Sequence, residues 1–222
     1  MPTETLTLDL PSGETVSALW QAPPTPAAVL TLAHGAGAGM THRYMTNTAD
    51  GLEARGVATL RFQFPYMEKG GKRPDRPPLA HSAVRAAVVE ARRRAKGAPL
   101  FAGGRSFGAR MTSQAQALAP LEDVRGLVFF AFPLHPAGKP GIERADHLAD
   151  VAIPMLFLQG TADTLAQVDL LRPVVSGLGE RGTLILVESA DHSFHVPART
   201  GGKDHEVMDE LLDRAVGWIT CV

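Results

Sequence analysis

A single cysteine, Cys221, stands among 222 residues. No internal disulfide can form, and the expected compartment is the reducing cytoplasm. The chain also lacks a dominant charge. Its formal net charge of −1 at pH 7 offers no bulk attraction to nucleic acid. Met1 to Gly13 alternates polar and apolar residues without the apolar centre of a signal peptide. Elsewhere no apolar run nears the length needed to cross a bilayer. The expectation is a protein that engages neither nucleic acid nor membrane.

What is present suits a globular chain, with 45% hydrophobic and 20% charged residues. The length fits one domain over residues 1–222, able to bury about 70% of its unfolded surface. Thr5 to Leu10 and Thr15 to Gln21 predict an antiparallel hairpin, and the proline-rich stretch Ala22 to Pro26 reads as a stiff connector. Further strands are expected at Ala28 to Ala33, Ala58 to Gln63, Val128 to Phe132 and Thr183 to Val187. Ala80, Ala83, Val84, Ala87, Val88 and Ala91 recur with helical period, as do Val207, Met208, Leu211, Leu212, Ala215 and Trp218. Strands alternating with helices imply an α/β architecture: a mostly parallel central sheet with helices on both faces.

Chemistry concentrates at Leu100 to Ala109, where an apolar strand runs into Gly104-Arg105-Ser106-Phe107-Gly108 and then a helix. Gly-x-Ser-x-Gly in that context is a nucleophile elbow, in which bulk two residues either side of the serine would collide. A serine hydroxyl is a poor nucleophile and needs a base, which in turn needs an orienting acid. Downstream, Asp163 follows the strand-like run Met155 to Gln159 and the breaker Gly160. His192 follows the strand ending at Val187. The order serine, acid, histidine is the one this elbow demands. His195 competes with His192 for the base, Asp191 is a poorer orienter, and Asp163 also reads as the cap of a helix opening at Leu165-Ala166. Oxyanion donors are expected from the backbone N–H of Phe107 and of Ala36, in the small-residue loop His34 to Gly39. That loop lacks the third glycine of a dinucleotide fingerprint, and His34 reads as a structural residue.

On His34–Gly39, Gly103–Gly108, Gly160–Asp163, Ala190–Phe194 and the stretch Phe132 to Pro140, the chain resembles the α/β-hydrolase superfamily, in its small cap-less dienelactone-hydrolase-like subgroup. One departure is the serine, because dienelactone hydrolases proper use cysteine. The resemblance implies an α/β-hydrolase fold without a substantial cap domain and a serine hydrolase for carboxylic esters or thioesters. It implies a small acyl substrate and no cofactor. The alternatives are an acyltransferase sharing the acyl-enzyme, or a catalytically weak scaffold.

Only a short loop and one short helix, Glu143 to Asp150, occupy the stretch Pro133 to Ile153 where a lid would be inserted. A shallow, open site follows. Lys72 and Arg73, in the glycine- and proline-rich loop Lys69 to Arg76, and His135 are the candidate substrate contacts. The run Arg92 to Lys96 reads as a solvated helix end. The pair His192 and His195 lacks a second ligand cluster at metal-site spacing, so no metal is expected.

Overall fold

Alternating side chains at the start of the chain build an antiparallel pair, β1 (Glu4–Asp9) and β2 (Thr15–Gln21), with Leu8 facing Val16. The structure is a computed structural model describing residues 3–222; residues 1 and 2 of the expected domain lie outside the described residues. After the hairpin come β3 (Ala28–Ala33), α1 (Arg43–Ala54), β4 (Val57–Phe62), α2 (Pro65–Glu68) and α3 (Pro77–Ala95). The second half holds β5 (Leu100–Arg105), α4 (Phe107–Leu118), β6 (Val124–Phe130), β7 (Met155–Gly160), α5 (Val168–Gly177), β8 (Gly182–Val187) and α6 (Asp204–Cys221).

The strands form one sheet in the order β1-β2-β4-β3-β5-β6-β7-β8, antiparallel at β1/β2 and β2/β4 and parallel from β4 to β8. This is an α/β-hydrolase fold. The chain moves outward from β3 to β4, then returns to β5 and moves the other way. The ends of β3 and β5 therefore flank a switch point, where open α/β sheets form their crevices. Ala33 pairs with Gly104 at that place.

Both faces are covered. Ala80, Ala83, Val84, Ala87 and Val88 of α3 pack with α4 and α5 against Leu100, Phe129 and Phe157. On the other face, Met45 and Leu52 of α1 and Leu211, Leu212 and Ala215 of α6 meet Leu30, Leu32, Phe101, Leu156 and Leu158. Strands β3, β4 and β7 are consequently buried along their whole length, as sheets sandwiched by helices require.

Several boundaries differ from those read in the sequence. Strand β6 spans Val124–Phe130 rather than Val128 to Phe132, because Ala131 turns into left-handed backbone at φ 57. The segment Glu143–Asp150 winds as a 3-10 helix, and α5 opens at Val168, three residues beyond Leu165. Arg92 and Arg94 are not merely solvated: they pair with Glu122 and Asp123, and with Glu4 and Glu90. Among the described residues no helix is long and apolar enough to cross a membrane.

Candidate active site

Ser106 stands between β5 and α4 with φ 52 and ψ −114. An L residue held there stores on the order of 1–3 kcal/mol of strain, so its neighbours must fix it. Its N–H donates to the Phe130 carbonyl at 3.1 Å, and its carbonyl accepts from Arg110 N–H at 3.1 Å. The flanking glycines answer chiefly to β3. A Cβ on Gly104 would strike the Ala33 carbonyl and lie 2.9 Å from Ala33 Cβ, and one on Gly108 would sit 2.6 Å from Ala33 C and 2.7 Å from the His34 carbonyl oxygen. Mutual crowding contributes as well, since the Gly104 Cβ would come within 3.0 Å of Gly108 C.

The structure brings three expected residues into one relay. His192 Nε2 lies 2.8 Å from Ser106 Oγ, and His192 Nδ1 lies 2.7 Å from Asp163 Oδ2. Asp163 is 2% exposed, so its carboxylate is worth keeping only if bonded. Its Oδ1 accepts from Leu165 N–H at 2.8 Å, and Oδ2 also accepts from Gln159 Nε2. Asp163 thus caps the turn at Leu165 rather than helix α5, which begins later.

Gln159 was not singled out from the sequence, although its place is readable. It is a lone amide at the end of the apolar run of β7, fully buried. Gly160 does more than end the strand, because a Cβ there would meet the Ala190 carbonyl carbon at 2.7 Å. Close approach of the Ala190 loop to β7 lets Ala162 N–H bond the Ala190 carbonyl at 2.9 Å.

Asp191 and His195 serve the loop rather than the relay. Asp191 Oδ1 accepts from the N–H groups of Ser193 and His195, at 2.7 and 3.0 Å. His195 Nδ1 faces Asp204 Oδ2 at 2.9 Å, and that carboxylate raises the pKa of the imidazole. Among the described residues no group of three or more histidine, cysteine, aspartate or glutamate side chains is arranged to hold a metal. The histidine loop is also gripped from the elbow. Arg105 Nη2 donates to the His192 carbonyl and to Ser193 Oγ, each at 3.1 Å. Its guanidinium lies 4.4 Å from the Tyr44 ring centroid, and Tyr44 stacks on Phe194 at 6.4 Å.

The loop His34 to Gly39 lies beside the serine, as a Cβ on Gly35 would stand 3.7 Å from Ser106 Cβ. His34 is fully buried, accepts from Phe64 N–H through Nε2 at 3.0 Å, and donates through Nδ1 to the Gly35 carbonyl at 2.8 Å. Burial pushes its pKa down to about 4, so it is a neutral brace. Gly37 N–H donates to the Tyr66 hydroxyl at 3.0 Å, and Tyr66 and Phe64 both pack edge-on to Phe107. Among the bonds of the described residues, the N–H groups of Ala36 and Phe107 are not taken up by another protein group.

No hydrogen bond among the described residues joins the remaining candidates to Ser106, His192 or Asp163. Lys72 and Arg73 are exposed in the loop between α2 and α3, with no ion pair among the described residues. That loop is tied to the site through Tyr66, whose N–H donates to Asp75 Oδ2 at 3.0 Å and whose carbonyl accepts from Gly71 N–H at 2.7 Å. His135 is 1% exposed; its Nδ1 faces the Pro136 carbonyl at 3.0 Å, and its Nε2 is buried without a partner. Three larger surface cavities, of about 730, 800 and 510 Å³, do not have Ser106 in their lining.

Residues 26–220 match the family described as an alpha/beta hydrolase domain. Solved structures align over nearly the whole chain. A lid-less α/β serine hydrolase from Xanthomonas campestris shares 24% identity at a TM-score of 0.74, covering 98% of this chain and 96% of that one. A dienelactone hydrolase from Anabaena variabilis shares 18% at 0.78, with the same two coverages of 98% and 96%. The esterase domain of a Rhodothermus marinus protein shares 16% at 0.75, covering 99% and 98%. At these identities the likeness is one of fold.

Proposed function

The chain belongs to the alpha/beta hydrolase domain family, and we propose that it is a serine hydrolase of carboxylic esters or thioesters working through an acyl-enzyme on Ser106. The observation that carries this reading is the continuous relay from Ser106 Oγ through His192 to the buried Asp163, with links of 2.8 and 2.7 Å.

In the proposed reaction Ser106 Oγ attacks the acyl carbon while His192 Nε2 takes the hydroxyl proton. Asp163, held by Gln159 and Leu165, fixes the ring with Nδ1 as donor and stabilises the imidazolium. The oxyanion lies between the free N–H groups of Phe107, at the first position of α4, and Ala36. One such donor is typically worth about 2.7–4 kcal/mol in the transition state. Collapse expels the alkoxide or thiolate, which leaves with the proton from His192. Water then attacks the acyl-enzyme and gives a proton to the same nitrogen; His192 returns that proton to Ser106 Oγ as the carboxylic acid is released. Support for a substrate open to solvent comes from the short 133–153 segment, which holds only a 3-10 helix.

Steady-state hydrolysis of p-nitrophenyl esters and an acyl thioester tests the reading. Turnover lost in both Ser106→Ala and His192→Ala is expected; turnover retained in Ser106→Ala would overturn it. Repeating the assay with hydroxylamine or an alcohol as competing acceptor separates hydrolysis from acyl transfer by the products formed.

A further inference from the structure

The loop that carries His192 is tied down at its two ends and only lightly at its tip. At one end Ser189 N–H donates to Thr161 Oγ1 at 2.8 Å, and Ala162 N–H donates to the Ala190 carbonyl at 2.9 Å. At the other, Val196 N–H donates to Asp204 Oδ1 at 3.1 Å. Between them Asp191 takes the N–H groups of Ser193 and His195, which closes the loop on itself. The backbone there is unfavourable as well. Ser189 and Phe194 both stand in the left-handed region, at φ 60 and 59, which is costly for a bulky side chain such as phenylalanine. Such a turn keeps its shape only where its surroundings over-determine it.

Apart from the relay itself, Arg105 is what reaches the tip. Among the described residues the His192 carbonyl accepts from Arg105 Nη2 alone, at 3.1 Å, and the same nitrogen donates to Ser193 Oγ at 3.1 Å. The guanidinium is fixed in turn. It lies 4.4 Å from the ring centroid of Tyr44, at the start of α1, and that ring stacks on Phe194 at 17° from parallel. Phe194 is itself buried against the α1 and α6 side of the sheet.

The backbone of Arg105 is equally constrained. It ends β5 and pairs with Phe130 of β6, and Ser106 follows it directly. One residue therefore meets the nucleophile through its main chain and the loop of the base through its side chain. The distance from Ser106 Oγ to His192 Nε2 is referred to a single strand end. A guanidinium suits this task, because it offers a flat face to an aromatic ring and donors in a fixed fork; a lysine ammonium carries the charge without that geometry. Arg105 belongs to no ion pair among the described residues, and its Nε is buried without a partner, so its burial adds little to stability.

We propose that Arg105 is a positioning residue for the base. Through the His192 carbonyl, Ser193 Oγ and the Tyr44–Phe194 stack it holds the His192 ring against Ser106. This rests on the hydrolase reading above, since Arg105 touches the reaction only through His192. The rival is a ligand contact, because Arg105, Tyr44, Ser193 and Phe194 also line the cavity of about 510 Å³.

Ester hydrolysis by the full chain separates the two. Arg105→Met is expected to lower kcat about tenfold to a hundredfold at nearly constant KM, with the urea midpoint unchanged, and Arg105→Lys to recover only part of the loss. Adding Arg105→Met to His192→Ala should lower the residual rate less than about twofold, since residues that act as a unit are not additive. A raised KM at unchanged kcat would make Arg105 a ligand contact and overturn the proposal. So would an equal loss in the His192→Ala background, because Arg105 would then act without the base.

Long-range proton–nitrogen correlation of the imidazole rings needs no turnover, so it separates failure of this role from failure of the hydrolase reading. His192, identified by the loss of its signals in His192→Ala, is expected as the Nδ1–H tautomer in the native chain and as a mixture of tautomers in Arg105→Met. An unchanged tautomer and linewidth in Arg105→Met would overturn the proposal. A native chain that shows the expected change yet hydrolyses no ester would support the positioning role and refute the hydrolase reading alone.

Discussion

Arg105 and Arg110 stand on either side of Ser106, and their surroundings differ. Arg105 reaches back across the sheet end, bonds the His192 carbonyl and Ser193 Oγ, and lies over Tyr44. Arg110, in the first turn of α4, belongs to no ion pair among the described residues, and its Nε is buried without a partner, as is Arg105 Nε. One cation holds the loop that carries the base, through the two bonds of its Nη2; the other makes no such side-chain bond among the described residues. The contrast shows that nearness to a reacting atom in sequence does not by itself give a side chain a part in fixing it.

The contrast has its deepest footing in the relay itself, so the largest effects should come there. Asp163→Asn should lower kcat by about four orders of magnitude by presenting the wrong tautomer of His192; a loss under tenfold, measured by ester hydrolysis, would detach Asp163 from the reaction. Gly108→Ala forces a methyl against Ala33 and His34 and should destabilise by about 3 kcal/mol, the upper range for overpacking, read by urea unfolding. An unchanged midpoint would mean that the elbow yields.

Arg105→Met should lower kcat about tenfold to a hundredfold with KM little changed, because a loop displaced by an ångström misplaces the base. An unchanged kcat would mean that the bonds of Arg105 to His192 and Ser193 do not position the base.

The smallest effect concerns pH. His34 and His147 have folded pKa values near 4, below the about 6.5 of an exposed imidazole. Between those values the unfolded chain binds more protons, so stability is full at pH 7 and falls as pH drops from about 6.5 toward 4. Urea midpoints across that range should decline, and His147→Gln, which can keep a bond to Ser113, should flatten the slope. An identical slope in the variant would contradict the assignment.

Much of this was legible in the sequence, for identifiable reasons. The elbow is constrained by sterics so tight that Gly104 and Gly108 report it directly. Asp163 follows the apolar run of β7, which is buried along its length, and His192 follows the apolar run of the edge strand β8, which is only partly buried but still apolar at Leu184 to Val187. The helices α3 and α6 are visible because each has one buried stripe. Gln159 could be seen only as a blemish in an apolar run, since its purpose is a contact across a turn. The end of β6 was misplaced because Phe132 is as buried and apolar as Phe130, while the break rests on the backbone of Ala131.

The most direct measurement is intact mass after exposure to a fluorophosphonate, with Ser106→Ala in parallel. The account predicts a single adduct on the native chain and none on the variant. Folded native protein that takes up no adduct, or a variant that is labelled equally, would contradict an activated Ser106.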